Sequence, residues 1–206
     1  MIGALALLVA AWPASFTADD VRAVEGGRIV EKQSVVDGVI HADIAARVDA
    51  APSWVVLQLV PRCRAPETKL TTLRFVAAPS ASTDVTHEVA AALPAMACAA
   101  ATGRDVFYTY GEMDPGSMLP TLWSLIKTSR GFQRLTATQV AGSFGTFASE
   151  TRVEAAPAGA YFVSTSTVTL GHVPDRVART LVDKLGGMAT AKALLEDLRR
   201  RARSAR

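Results

Sequence analysis

Residues 174–201 carry one long amphipathic helical stripe, in a chain whose earlier residues mostly follow strand period. Val177, Leu181, Leu185, Met188, Leu195 and Leu198 recur near the helical period, opposite Asp183, Lys184, Lys192 and Glu196. Pro174 and Asp175 suit a helix start, by fixed φ and by negative charge at the positive end of the dipole. Gly186 and Gly187 interrupt the stripe at about 1 kcal/mol each relative to Ala, which marks a kink or a close approach to a neighbour. A helix with one greasy side must bury it, and the strand-rich body before it supplies the surface. The expected class is therefore α+β, an antiparallel sheet with helices on one side.

The body divides at its turn signals. Residues 28–36 and 39–48 read as a hairpin around Asp37-Gly38. In the second strand Ile40, Ala42, Ile44, Ala46 and Val48 share one side, and His41, Asp43 and Arg47 share the other. Pro52 suits the first turn of a short helix that ends before Pro61. Strands are expected over residues 70–77, 84–93, 105–112, 132–140, 144–155 and 161–170, with a short helix over 119–127 around Trp123. A polar linker is expected around residues 17–27.

In this order the chain resembles the START-like (SRPBCC, helix-grip) superfamily of lipid-transfer domains and polyketide cyclases. The residues carrying the likeness are Val48-Asp49-Ala50-Ala51-Pro52-Ser53-Trp54 entering the first helix and Arg104-Asp105-Val106-Phe107-Tyr108 on a strand. Arg134 and Gly142 within residues 131–147, and Val173-Pro174 opening a helix that ends Leu194-Leu195-Glu196-Asp197-Leu198-Arg199, complete it. Pro61, Arg62 and Cys63 stand where the family carries an acid and an aromatic, and residues 94–103 are Ala-rich where it has a tight Pro-containing connection. The resemblance implies a curved antiparallel sheet wrapped around the long C-terminal helix, over residues 28–203, with short helices after the second strand and a tail at 204–206. It also implies a cavity for a lipid or similar hydrophobic molecule. Arg104 would hold an acidic headgroup there, and Tyr108, Tyr110, Trp123, Phe147, Tyr161, Leu181 and Leu185 are the ligand-binding candidates. Core packing is the other reading of each aromatic, and a sheet-edge anchor is the other reading of Arg104.

Residues 2–12 form an unbroken apolar run of eleven, followed by Pro13-Ala14-Ser15. A membrane-spanning helix needs about 20 apolar residues, so the run fits the apolar region of an export signal over residues 1–18. No Lys or Arg precedes it, and a buried helix is the alternative. Export places the protein in a periplasmic or extracellular compartment, where Cys63 and Cys98 can form a disulfide or remain two buried thiols.

Chemistry is sparse. His41, His87 and His172 show no metal-ligand spacing, and neither a G-x-S-x-G elbow nor a phosphate loop occurs. No catalytic residue, metal or cofactor is assigned. The net charge is +3, but Arg199, Arg200, Arg201, Arg203 and Arg206 crowd the end. A nucleic-acid binder carries its basic stripe through the body. The arginines read instead as a solvated helix end, or as a transient contact with an anionic membrane surface. The expected function is binding or transport of a hydrophobic small molecule. A cyclase or dehydratase using the same cavity, and a non-catalytic envelope interaction protein, are the alternatives.

Overall fold

The computed structural model describes residues 12–59, 71–114, 120–170 and 187–204. The strands are β1 (Val30–Val36), β2 (Val39–Val48), β3 (Thr71–Val76), β4 (Val106–Met113), β5 (Leu122–Gly131), β6 (Arg134–Gly142), β7 (Thr146–Ala156) and β8 (Gly159–Thr169). They form one curved antiparallel sheet in the order β1-β2-β8-β7-β6-β5-β4-β3. The helices among the described residues are α1 (Ala18–Glu25), α2 (Pro52–Leu59), α3 (His87–Ala92), α4 (Cys98–Thr102) and α5 (Gly187–Ser204).

The hairpin β1–β2 turns where expected. Asp37 and Gly38 both have positive φ, 50° and 76°, which is the backbone a two-residue hairpin loop requires. Between β5 and β6, Leu125 pairs with Ala141 while Ile126 pairs with Gln139, so Val140 is an extra residue. A bulge of this kind bends its strand and increases local twist.

Register partners on neighbouring strands point to the same face. Ile44, Ala46 and Val48 of β2 therefore share an inner face with Phe162 of β8, Val153 of β7 and Leu135 of β6. Leu195, Leu198 and Ala202 of α5 and Val55 and Val56 of α2 join these residues in the main core. Arg201 ties the two helices together: its guanidinium stands 5.9 Å from the Trp54 ring centroid and donates to Gln58 Oε1. The apolar side expected for β2 is the side that meets the terminal helix.

Helices cover both faces, where the sequence predicts one. On the outer face, Val24 of α1 packs with Ala45 and Val163, and Ala90 of α3 packs with Val76, Tyr110 and Leu125. Residues 17–27, expected as a linker, hold α1, which is closed by a reciprocal capping box between Thr17 and Asp20. Residues 84–93, expected as a strand, hold α3, with Thr86 as N-cap and Glu88 in the first turn. Residues 119–127, expected as a helix, lie largely in β5, which is hydrogen-bonded to β4 on one side and β6 on the other. An apolar run this short has no decisive period, and its central position in the sheet settles its state. Phe132 forms the exposed β5–β6 turn rather than the start of a strand. The first half of the expected terminal helix, with Leu181, Leu185 and His172, lies outside the described residues.

Candidate functional site

Beyond the stretch covered by α5, the inner face continues along β2, β8 and β7 with small or hydroxylated side chains. Ser164 and Ser166 of β8 stand opposite Thr151 and Ser149 of β7, and Val168 stands opposite Phe147. Ala42 and Ile40 complete the row on β2. Ile40 is buried and the others are half-buried. Alternating strand geometry sets these residues on one surface of mostly small side chains, which we call the trough. Three of its hydroxyls are engaged within the protein: Thr151 Oγ1 donates to Ser164 Oγ at 2.9 Å, and Ser166 Oγ to the Ala42 carbonyl at 3.3 Å. Such pairing satisfies those polar atoms within the sheet.

Of the residues expected to line a pocket, Phe147 is the described one that lies in this trough. Tyr108, Tyr110 and Trp123 are brought together, but on the outer face beneath α3. Tyr161 is also on the outer face, edge-on to Trp12 with ring centroids 5.2 Å apart. Arg104 is exposed in the loop after α4, its N–H donating to the Ala101 carbonyl. The arginine on the inner face of this region is Arg130, whose guanidinium donates to the Thr102 carbonyl at 3.2 Å and to Asp105 at 3.3 Å. It therefore closes the end of α4. Leu181 and Leu185 lie outside the described residues. Cys98, the first residue of α4, is disulfide-bonded, while Cys63 lies outside the described residues.

The outer-face aromatics surround a polar cluster that sequence reasoning missed. Glu112 Oε1 accepts from the Tyr110 hydroxyl, and His87 Nε2 stands 3.2 Å from the same oxygen. The His87 ring lies 5.3 Å from Trp123, and the Arg74 guanidinium lies 4.9 Å above the Tyr110 ring. Arg74 also donates to the carbonyls of Leu93 and Ala91, closing the C-terminal end of α3. Burial, reinforced by the Glu112 carboxylate, pushes the Tyr110 phenol well above its ordinary range. The Tyr110 hydroxyl, followed by His87, holds the Glu112 carboxyl below the usual carboxylate range. A phenol so hard to ionise and a carboxylate so well supplied with donors form a clasp. The alternation Tyr108-Tyr110-Glu112 on β4 is the available sequence signal for it; that His87 meets it depends on where α3 docks. Among the described residues, no group of three or more His, Cys, Asp or Glu is placed to hold a metal ion.

No family model and no curated protein matches the chain. Solved structures do. The Zhui aromatase/cyclase from Streptomyces sp. R1128 is 13% identical, with a TM-score of 0.54 over 81% of this chain and 98% of that one. Ara h 8.0201 is 12% identical, with a TM-score of 0.46 over 81% and 99%. TTHA0849 from Thermus thermophilus is 15% identical, with a TM-score of 0.45 over 86% and 99%. With the first of these likenesses and its strand order, the chain has the START-like helix-grip fold.

Proposed function

We propose that this protein binds a hydrophobic small molecule on the inner face of its sheet, beside α5, as a carrier or binding module. One observation carries the reading. The inner face beyond Leu195 and Leu198 is paved by Ser149, Thr151, Ser164, Ser166 and Ala42, with Phe147 and Val168 at its end, and these side chains are half-buried. Ligand pockets are mostly apolar with few polar groups, and a floor in which the hydroxyls of Thr151, Ser164 and Ser166 are already engaged meets that description. The fold is shared with an aromatase/cyclase. The titratable cluster of His87, Tyr110 and Glu112 faces the other way, beneath α3. That placement favours binding over acid–base turnover at the trough.

The reading is tested by lipid extraction and native mass spectrometry of the purified protein, and by titration with a fluorescent fatty acid. Ser149→Trp would fill the trough while leaving the main core intact. The expected result is saturable binding by the wild type and a loss of about tenfold or more in the variant, with overpacking costing about 1–3 kcal/mol of stability. An empty wild-type protein that binds no probe, or a variant that binds as well as the wild type, would refute it.

A further inference from the structure

A second recess lies at the opposite end of β2 from Ile40, roughly 24 Å along the strand. Gly27, Arg47, Asp49, Arg199 and Arg203 line it, and its volume is about 60 Å³. That is room for a few waters or a small oxyanion and too little for an acyl chain. Three guanidinium groups face one carboxylate, so the lining carries a formal +2.

Arg199 and Arg47 are held mainly by backbone carbonyls, which do not neutralise them. Arg199 Nε donates to the Arg47 carbonyl at 2.8 Å and its Nη2 to the Arg28 carbonyl at 3.4 Å. Arg47 Nη1 donates to the Glu25 carbonyl at 2.6 Å. Its Nε is buried, makes no hydrogen bond, and stands 3.7 Å from Asp49 Oδ1. Arg203, at the exposed mouth, has no hydrogen-bond or ion-pair partner among the described residues. Gly27 lines the recess at φ 89°, a backbone conformation that favours glycine, with Arg47 Nη2 at ordinary contact distance, 3.9 Å, from where a Cβ would stand. Burial, then the neighbouring charges of Arg203 and Arg47, press the Arg199 guanidinium to lower proton affinity, against Asp49 and Glu196. Arginine near a helix C-terminus needs no ligand to explain it. Arg47 is on a strand, however, and the same account does not cover three guanidiniums gathered around one cavity.

We propose that this recess binds a phosphate-class oxyanion, with Arg47, Arg199 and Arg203 as its donors. Guanidinium forks match the oxygens of phosphate, and charge-assisted hydrogen bonds to a dianion offset the lining's +2. The oxyanion's source is either free inorganic phosphate or the phosphomonoester headgroup of an anionic lipid. The site is independent of the trough, since it uses none of the trough's residues.

The test is calorimetric titration of the full chain with inorganic phosphate at constant ionic strength. A parallel arm measures co-sedimentation with phosphatidylcholine vesicles containing or lacking phosphatidic acid. Arg203→Gln removes a donor from an exposed side chain, so its folding is unaffected. Arg200→Gln is the control, an equally C-terminal arginine paired with Asp197 at 2.6 Å and absent from the recess. The expected result is saturable binding in at least one arm, weakened about tenfold by Arg203→Gln and unchanged by Arg200→Gln, as for loss of one charge-assisted hydrogen bond. Phosphate binding identifies the free ion as a ligand, and binding only to phosphatidic acid vesicles identifies the headgroup. Absence of saturable binding in both arms, or equal weakening by the two variants, overturns the proposal.

Discussion

Leu198→Ala cuts the core where α5 meets the sheet. Leu198 is fully buried, in one cluster with Val48, Val55, Val153 and Phe162. The substitution removes three carbon atoms, a transfer loss of about 2–2.5 kcal/mol at about 0.8 kcal/mol per methylene. A residual void on the order of 50 Å³ adds about 1 kcal/mol at roughly 24 cal/mol per Å³. The expected cost is therefore about 3–3.5 kcal/mol. For a chain of this size each kcal/mol lowers Tm by about 2–4 °C, so a fall of roughly 6–14 °C follows. Phe132→Ala is the matched control: Phe132 is 89% exposed at the β5–β6 turn, and its loss should stay within about 0.5 kcal/mol. Urea unfolding followed by circular dichroism measures both. A Leu198→Ala cost below about 1 kcal/mol with an unchanged m value would refute the seating of α5 on β2, β7 and β8. Comparable losses in the two variants would refute it as well.

The outer clasp and the β7–β8 turn make two further predictions. Tyr110→Phe removes the main donor to Glu112 and, with the carboxylate partly screened by solvent, should cost about 0.5–1.5 kcal/mol at neutral pH. Because the folded carboxyl is depressed, its contribution is present above its unfolded value and lost as pH falls through the lower folded value. Urea unfolding from neutral pH to below about pH 4 should therefore show the gap between Tyr110→Phe and wild type shrinking in acid; a constant gap contradicts the assignment. Gly159→Ala should destabilise by about 3 kcal/mol or more. Its φ is +123° and a Cβ would collide with the Val48 carbonyl oxygen and Asp49 Cα, so a thermal scan matching the wild type would be inconsistent with the turn.

Local chemistry made much of this fold legible. Asp37-Gly38 with the alternation of β2 announced a hairpin and named its inward side, and Leu195 and Leu198 announced the face that α5 buries. Reading failed where tertiary position overrides a short apolar run. Trp123 stands in a central strand because β4 and β6 flank it, which no window around it encodes. Tyr110 and Phe107 lie on opposite faces of β4, and each face is covered by a different helix, so both read as core. Nothing local says which of them looks toward α5. In the structure Thr86 caps α3 and Glu88 stands in its first turn, but the valine and alanine between Asp84 and Leu93 suit a strand, the element expected there. The arginine recess is assembled from α1's end, β2 and α5, far apart in sequence, and has no local signature.

Pairing between β2 and β8 also orders the assembly of the molecule. From β4 to β8 the strands follow one another as hairpins, each closing a short loop, whereas β2 joins β8 across a gap such as the 124 residues between Ala42 and Ser166. A nascent chain delivers β1 and β2 first and their partner late. Until residue 169 has emerged, β2 presents an unpaired backbone edge, and β1 bears Val35 and Val36 that stay exposed even in the finished sheet. The interval between synthesis of the first hairpin and of the last strand is therefore when this protein is most open to wrong pairing, and when a chaperone would matter most.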